Sequence, residues 1–333
     1  MKIVVRTPNW IGDTLMAMPA MAALRRHYSA DEIWIAAPAG IRDIFAGPET
    51  TERLFVLAPA PEKTSLWRAA AAWREGRFDA GLLLTNSFGS ALEFAAARIP
   101  QRWGYDRDGR GLLLTKRVRF RRPDKPVHMV RYYLDLIEGL GIALPVPEIK
   151  LRVTPEELGR GRNILAAAGL DSGRPLAVLN PGAAYGPAKR WPAERFAELA
   201  AILQNRHGAE IAVTGRDHDR ASASIICAGL ARPAADLTGK TTLRELLAVL
   251  ASAAVFVTND SGPMHMANAL RIPVVALFGP TDPAVTAPFH EPRTILKKEV
   301  VCWPCLYRRC PYDHRCLAGI SAGEAADAAG AYL

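Results

Sequence analysis

Short runs of buried-type residues recur along the chain and are separated by segments whose apolar positions fall at helical spacing. Ile3, Val4 and Val5 form a strand-like run, and residues 13–28 carry a helical pattern. Pro19 lies inside that helix and demands a kink or an early end. Residues 33–36 read as a second strand, and residues 80–84 are an apolar run closed by polar Thr85, Asn86 and Ser87. A helix is predicted over 127–140, followed by a proline-containing linker over 141–154. The rhythm then restarts. Strands are predicted at 176–179, 211–213, 255–258 and 274–278, and helices at 242–251 and 263–270. Between the first two of these strands, Phe196, Leu199, Ala200 and Leu203 share one helix face.

Strands alternating with helices mean parallel sheets. The expectation is an α/β chain of two doubly wound, Rossmann-like domains, 1–150 and 151–333, facing each other across a cleft. Ligands of such sheets bind at the carboxyl ends of the strands. Half of the residues are hydrophobic and 23% are charged, which excludes disorder. The longest apolar stretch, 246–257, contains Ser252 and is too short to span a bilayer. No signal-peptide pattern precedes Ile3, so a soluble cytoplasmic protein is expected.

A net charge of +9 points to anionic partners. Much of it is local: from Arg98 to Arg131 eleven Lys or Arg face only Asp106, Asp108 and Asp124. The segment is either a solvated basic face or a binding surface. It carries no nucleic-acid reading motif, and no nucleic-acid partner is expected.

Three strand-to-helix handovers carry candidate chemistry. In Asn9-Trp10-Ile11-Gly12-Asp13, Gly12 permits close backbone approach, and Asp13 either caps the helix or projects a carboxylate at the ligand edge. From Asn180 to Pro192 a loop of small residues, including Gly182 and Ala183, ends in Lys189 and Arg190. Such a loop suits a diphosphate. In Thr258-Asn259-Asp260-Ser261-Gly262-Pro263-Met264-His265 a helix opens after a polar turn, which favours an anion. There Asp260 could accept from sugar hydroxyls, or Asp260 or Ser261 could cap the helix while His265 packs. The chain has neither the Gly-x-Gly-x-x-Gly nor the P-loop fingerprint, and no Asp-x-Asp pair to hold a divalent ion. The spacing Cys302-x2-Cys305-x4-Cys310-x5-Cys316 matches a compact structural zinc site, set apart from catalysis. Reduced thiols, or disulfides formed after purification, are the alternatives.

Together, residues 8–13, 181–192, 258–265 and 276–281 and the late cysteines resemble the ADP-heptose:lipopolysaccharide heptosyltransferases of glycosyltransferase family nine. The resemblance covers nearly the whole chain. It implies a GT-B fold and an inverting transfer of heptose from ADP-heptose to the anionic heptosyl-Kdo2-lipid A inner core. It implies no metal for catalysis and a peripheral position on the inner face of the inner membrane. By the same resemblance Asp13 is the general base and Lys189 neutralises the donor phosphates. Asp260 contacts heptose hydroxyls, with Ser261, Gly262 and His265 around the diphosphate. The competing readings are another GT-B nucleotide-sugar enzyme, an epimerase included, and an inactive membrane-surface relative.

Overall fold

The first apolar run is β1 (Lys2–Arg6), buried on both faces from Ile3 onward. It is followed by α1 (Ile11–Met16), α2 (Met18–His27), β2 (Glu32–Ala37), α3 (Ala39–Arg42), β3 (Phe55–Pro59), α4 (Leu66–Glu75), β4 (Ala80–Leu83), α5 (Phe88–Ala96), β5 (Gln101–Tyr105), β6 (Lys116–Val118) and α6 (Met129–Gly139). This computed structural model describes residues 1–47, 55–59, 65–170 and 173–333, with backbone alone at 55–59. The six strands form one parallel sheet in the order β3-β2-β1-β4-β5-β6. The helix expected over 13–28 is two helices that meet at Ala17, with Pro19 in the first turn of α2. A missing N–H costs nothing there. Trp73, Phe94, Leu83 and Ile99 build the core on one face of this sheet.

The contact boundary falls inside the proline-containing stretch, giving units Met1–Ile149 and Lys150–Leu333. The second unit runs α7 (Pro155–Ala167), β7 (Leu176–Asn180), α8 (Ala193–His207), β8 (Glu210–Val213), α9 (Arg220–Cys227), β9 (Ala235–Asp236), α10 (Leu243–Leu250), β10 (Val255–Asn259), α11 (Gly262–Ala269), β11 (Val274–Phe278), α12 (Pro283–Thr286), β12 (Arg293–Lys297), α13 (Arg315–Ala318) and α14 (Ala322–Gly330). Its parallel sheet has the order β12-β11-β10-β7-β8-β9. Numbered from each unit's own first strand, both sheets read 3-2-1-4-5-6, the doubly wound order.

Local chemistry sets the helix starts. Thr154 and Glu157 form a capping box on α7, Thr242 and Glu245 on α10, and Ser321 and Glu324 on α14. At Gly161 on α7 an added Cβ would lie 2.6 Å from the carbonyl oxygen of Ala248, so only glycine lets α7 lie against α10 there. Ala325, Ala326 and Ala329 of α14 belong to the second unit's own core with Phe196, Leu199 and Leu203 of α8. No helix among the described residues is long and apolar enough to cross a membrane.

Candidate active site

In a 3-2-1-4-5-6 sheet the strand order reverses between strands 1 and 4, and a crevice opens at their carboxyl ends. The crevice of the second unit lies beyond β7 and β10. Asn180, the last residue of β7, donates from Nδ2 to Thr258 Oγ1 at 3.0 Å, and to Gly182 O and Ser261 Oγ at 3.3 Å each. Asn259, ending β10, donates to Pro181 O at 2.8 Å and accepts from the Trp191 N–H at 3.0 Å. These cross-ties shape the 181–191 loop against the β10–α11 turn. Lys189 and Asp260, 71 residues apart, pair directly through Nζ and Oδ2. Thr281, just beyond β11, donates to the same Asp260 oxygen at 2.7 Å.

This geometry separates the readings of the turn. Ser261 occupies the N-cap position of α11 but makes no capping bond, because its hydroxyl lies 3.0 Å from that of Thr258. The carboxylate of Asp260 is committed to Lys189 and Thr281. Neither side chain caps α11. Gly262 is the helix's first residue, and His265 is buried within it. Ala183 is buried and brings only backbone to the loop. At Gly182 an added Cβ would come 2.4 Å from Asp219 Oδ2. Arg190, expected at the phosphates, instead lies with Nη2 3.1 Å from Asp219 Oδ1. Asp219 also accepts from the Arg216 N–H at 3.0 Å, so this pair braces the neighbouring turn.

In the first unit, Asp13 lies in the first turn of α1, while the N-cap position belongs to Trp10. The carboxylate is therefore not the helix cap, although the first-turn position still favours its charge. Tyr133 on α6 is its buried neighbour. Burial first, and the Asp13 charge second, hold the Tyr133 phenol protonated well above the ordinary tyrosine range.

Sequence reasoning missed Thr281, Tyr185 and the role of the late loop. The Lys189 ammonium lies 4.8 Å over the Tyr185 ring, and the Arg308 guanidinium covers that ring at 5.2 Å. Tyr185 donates its hydroxyl to Leu306 O at 2.6 Å, and the Ala188 N–H donates to Arg308 O at 3.1 Å. Trp303 Nε1 donates to Thr281 O at 3.2 Å. The cysteine-bearing loop, expected to be set apart, buttresses the Lys189 loop.

A family profile described as glycosyltransferase family 9 (heptosyltransferase) matches residues 66–315. The chain belongs to that family. This glycosyltransferase is similar to lipopolysaccharide heptosyltransferase 2 of Salmonella typhimurium, at 36% identity over 89% of this chain and 88% of the other. It is 35% identical to the enzyme of that name in Escherichia coli, with 89% and 88% covered. The solved structure of E. coli ADP-heptose lps heptosyltransferase II superposes with a TM-score of 0.84 at 29% identity, covering 100% of this chain and 98% of that one. The fold is GT-B.

The glycosyltransferase's four late cysteines, expected as a structural zinc site, are free thiols in this structure. Cys302, Cys305 and Cys310 are half-buried free thiols and Cys316 is a buried one. Among the described residues no group of three or more His, Cys, Asp or Glu converges to hold a metal ion. The irregular loop spends its contacts on the 185–189 segment and the 280–281 turn.

Proposed function

We propose that this glycosyltransferase moves heptose from ADP-heptose onto the anionic, lipid A-linked inner core of lipopolysaccharide, working as a peripheral protein at the inner face of the inner membrane. The observation that carries the reading is the meeting of Lys189, Asp260 and an uncapped start of α11 beyond β7, β10 and β11. A mobile ammonium and unclaimed first-turn amides suit a departing diphosphate, and a carboxylate suits sugar hydroxyls. Without donor, Lys189 and Asp260 satisfy each other. When donor binds, the ammonium turns to the phosphates and Asp260 is released to the heptose.

Asp13 is the proposed base of the first unit. The acceptor hydroxyl oxygen attacks the anomeric carbon and its proton passes to Asp13. The anomeric C–O bond breaks, and ADP leaves with the electron pair toward Lys189. No metal is assigned to this step.

Incubation with ADP-heptose and heptosyl-Kdo2-lipid A should add one heptose to the acceptor by mass spectrometry. Asp13→Asn should lose transfer by about 10²–10⁴-fold while keeping its melting temperature and its affinity for ADP. No mass gain with wild type, but gain from another nucleotide sugar, would overturn the donor. Near-normal turnover in Asp13→Asn, with lowered stability, would reduce Asp13 to a helix-start residue.

A further inference from the structure

The first unit has its own switch-point crevice, between the carboxyl ends of β1 and β4, and its chemistry is unassigned beyond Asp13. We infer that Asn86, just past β4, binds the acceptor by donating its side-chain amide N–H to an acceptor oxygen, with Arg110 and Tyr132 as the positioning residues that aim it. The inference rests on the transferase reading above.

Asn86 Oδ1 accepts from the Tyr132 hydroxyl at 2.8 Å and from Arg110 Nη2 at 3.4 Å. The guanidinium of Arg110 can only donate, so it settles which way the amide faces: the reverse orientation would set the Asn86 N–H against the Arg110 N–H. The Nδ2 group is thereby turned away from both, and it meets no acceptor among the described residues. Asn86 is half-buried at the crevice rim, just past the strand that pairs with the one leading to Asp13.

Arg110 makes this more than a turn-stabilising bond. Its side chain is fully buried, yet its acceptors are the carbonyls of Thr85 and Tyr105 and the Asn86 amide oxygen, with no carboxylate among them. A buried cation is costly unless it is paired. Asp108 and Asp106 act on Arg110 only through space, and burial still pulls its pKa below the ordinary arginine value, so an anion arriving at the crevice beside Asn86 would offset its charge further. Arg107 adds a second guanidinium, stacked 4.2 Å over Phe120. The crevice-side loops also expose Trp10 (53%) and Phe88 (47%), apolar rings beside polar donors, which suits a sugar. An anionic saccharide is the ligand class these features share.

Asn86→Asp keeps the side chain's shape and both bonds to Oδ1 but replaces the outward donor with a carboxylate oxygen. With heptosyl-Kdo2-lipid A as acceptor, KM should rise at least about tenfold, the scale of one lost hydrogen bond to a charged oxygen. The Kd for ADP should be unchanged. Asn86→Ala should raise KM in the same direction. Tyr132→Phe, which leaves the amide less firmly aimed, should raise acceptor KM by a smaller factor with kcat nearly intact. An acceptor KM unchanged in folded Asn86→Asp and Asn86→Ala would overturn the inference while wild-type turnover upholds the transferase reading. Absence of wild-type transfer to this acceptor would instead remove the reading on which it rests. If Asn86→Asp misfolds, the Asn86→Ala and Tyr132→Phe pair decides alone.

Discussion

Lys189 sits between two partners that compete for its charge, the Asp260 carboxylate that holds it here and the diphosphate it is proposed to meet. A charge that builds as ADP departs is stabilised most in the transition state. Lys189→Ala should therefore lower kcat by about 10²–10³-fold, at least as much as it weakens ADP binding. Stopped-flow turnover beside ADP titration checks this, and weaker binding with kcat intact would make Lys189 a ground-state anchor. Asp13, Lys189 and Asp260 were legible because each stands where a strand hands over to a helix, a place where side chains meet ligands. Thr281 and Asp219 were not, since their importance lies in a contact with a residue distant in sequence. Arg190 was read together with its neighbour Lys189; the short helical turn that ends at Lys189 leaves the two side chains on different carboxylates, Asp219 and Asp260.

The elements read best from sequence are the central strands. β10 and β11 are buried throughout; β11 is an unbroken apolar run, and β10 opens on one at Val255, Phe256 and Val257. The edges did not show. β6 and β12 carry Lys and Arg at exposed or half-covered positions, and β9 has two residues. Without an apolar run or clear alternation there is no signal to read. Helix caps add a prediction at this scale. The Glu157 carboxylate closes the α7 capping box and accepts from Arg244 Nε at 2.7 Å, tying α7 to α10. The Arg244 bond first, and then the Thr154 N–H, hold its pKa below the ordinary glutamate value. A depressed carboxylate contributes stability in full above its unfolded pKa and loses it as pH falls through the folded one. Thermal melts should therefore show this contribution at neutral pH and its loss in the acid range below the ordinary glutamate value. Glu157→Gln should cost about 2 kcal/mol at neutral pH and flatten that acid limb.

Across the whole molecule, positive charge is concentrated rather than spread. Arg117, Arg119, Arg121 and Arg122 are all exposed in the segment that follows β5 of the first unit. Neutralising these four should raise KM for the lipid-linked acceptor and leave ADP affinity unchanged, with an effect that fades as salt rises. An unchanged KM at low ionic strength would leave them a solvated face. The two-unit plan was legible because the strand–helix rhythm stops and restarts around a proline-containing stretch. The spacing of the cysteine loop gave no sign of its contacts with the 185–189 segment, which lie between residues distant in sequence. Those contacts bind two chemistries into one equilibrium. A donor that reorders Lys189 and Tyr185 also reorders the backbone at Leu306 and Arg308, between Cys305 and Cys310. Thermodynamic reciprocity then applies: whatever factor donor binding imposes on the free energy of that loop, a modified thiol returns to donor affinity. On that coupling the rate of thiol modification at the half-buried cysteines should change when donor is added, an effect a thiol titration with and without ADP-heptose would check.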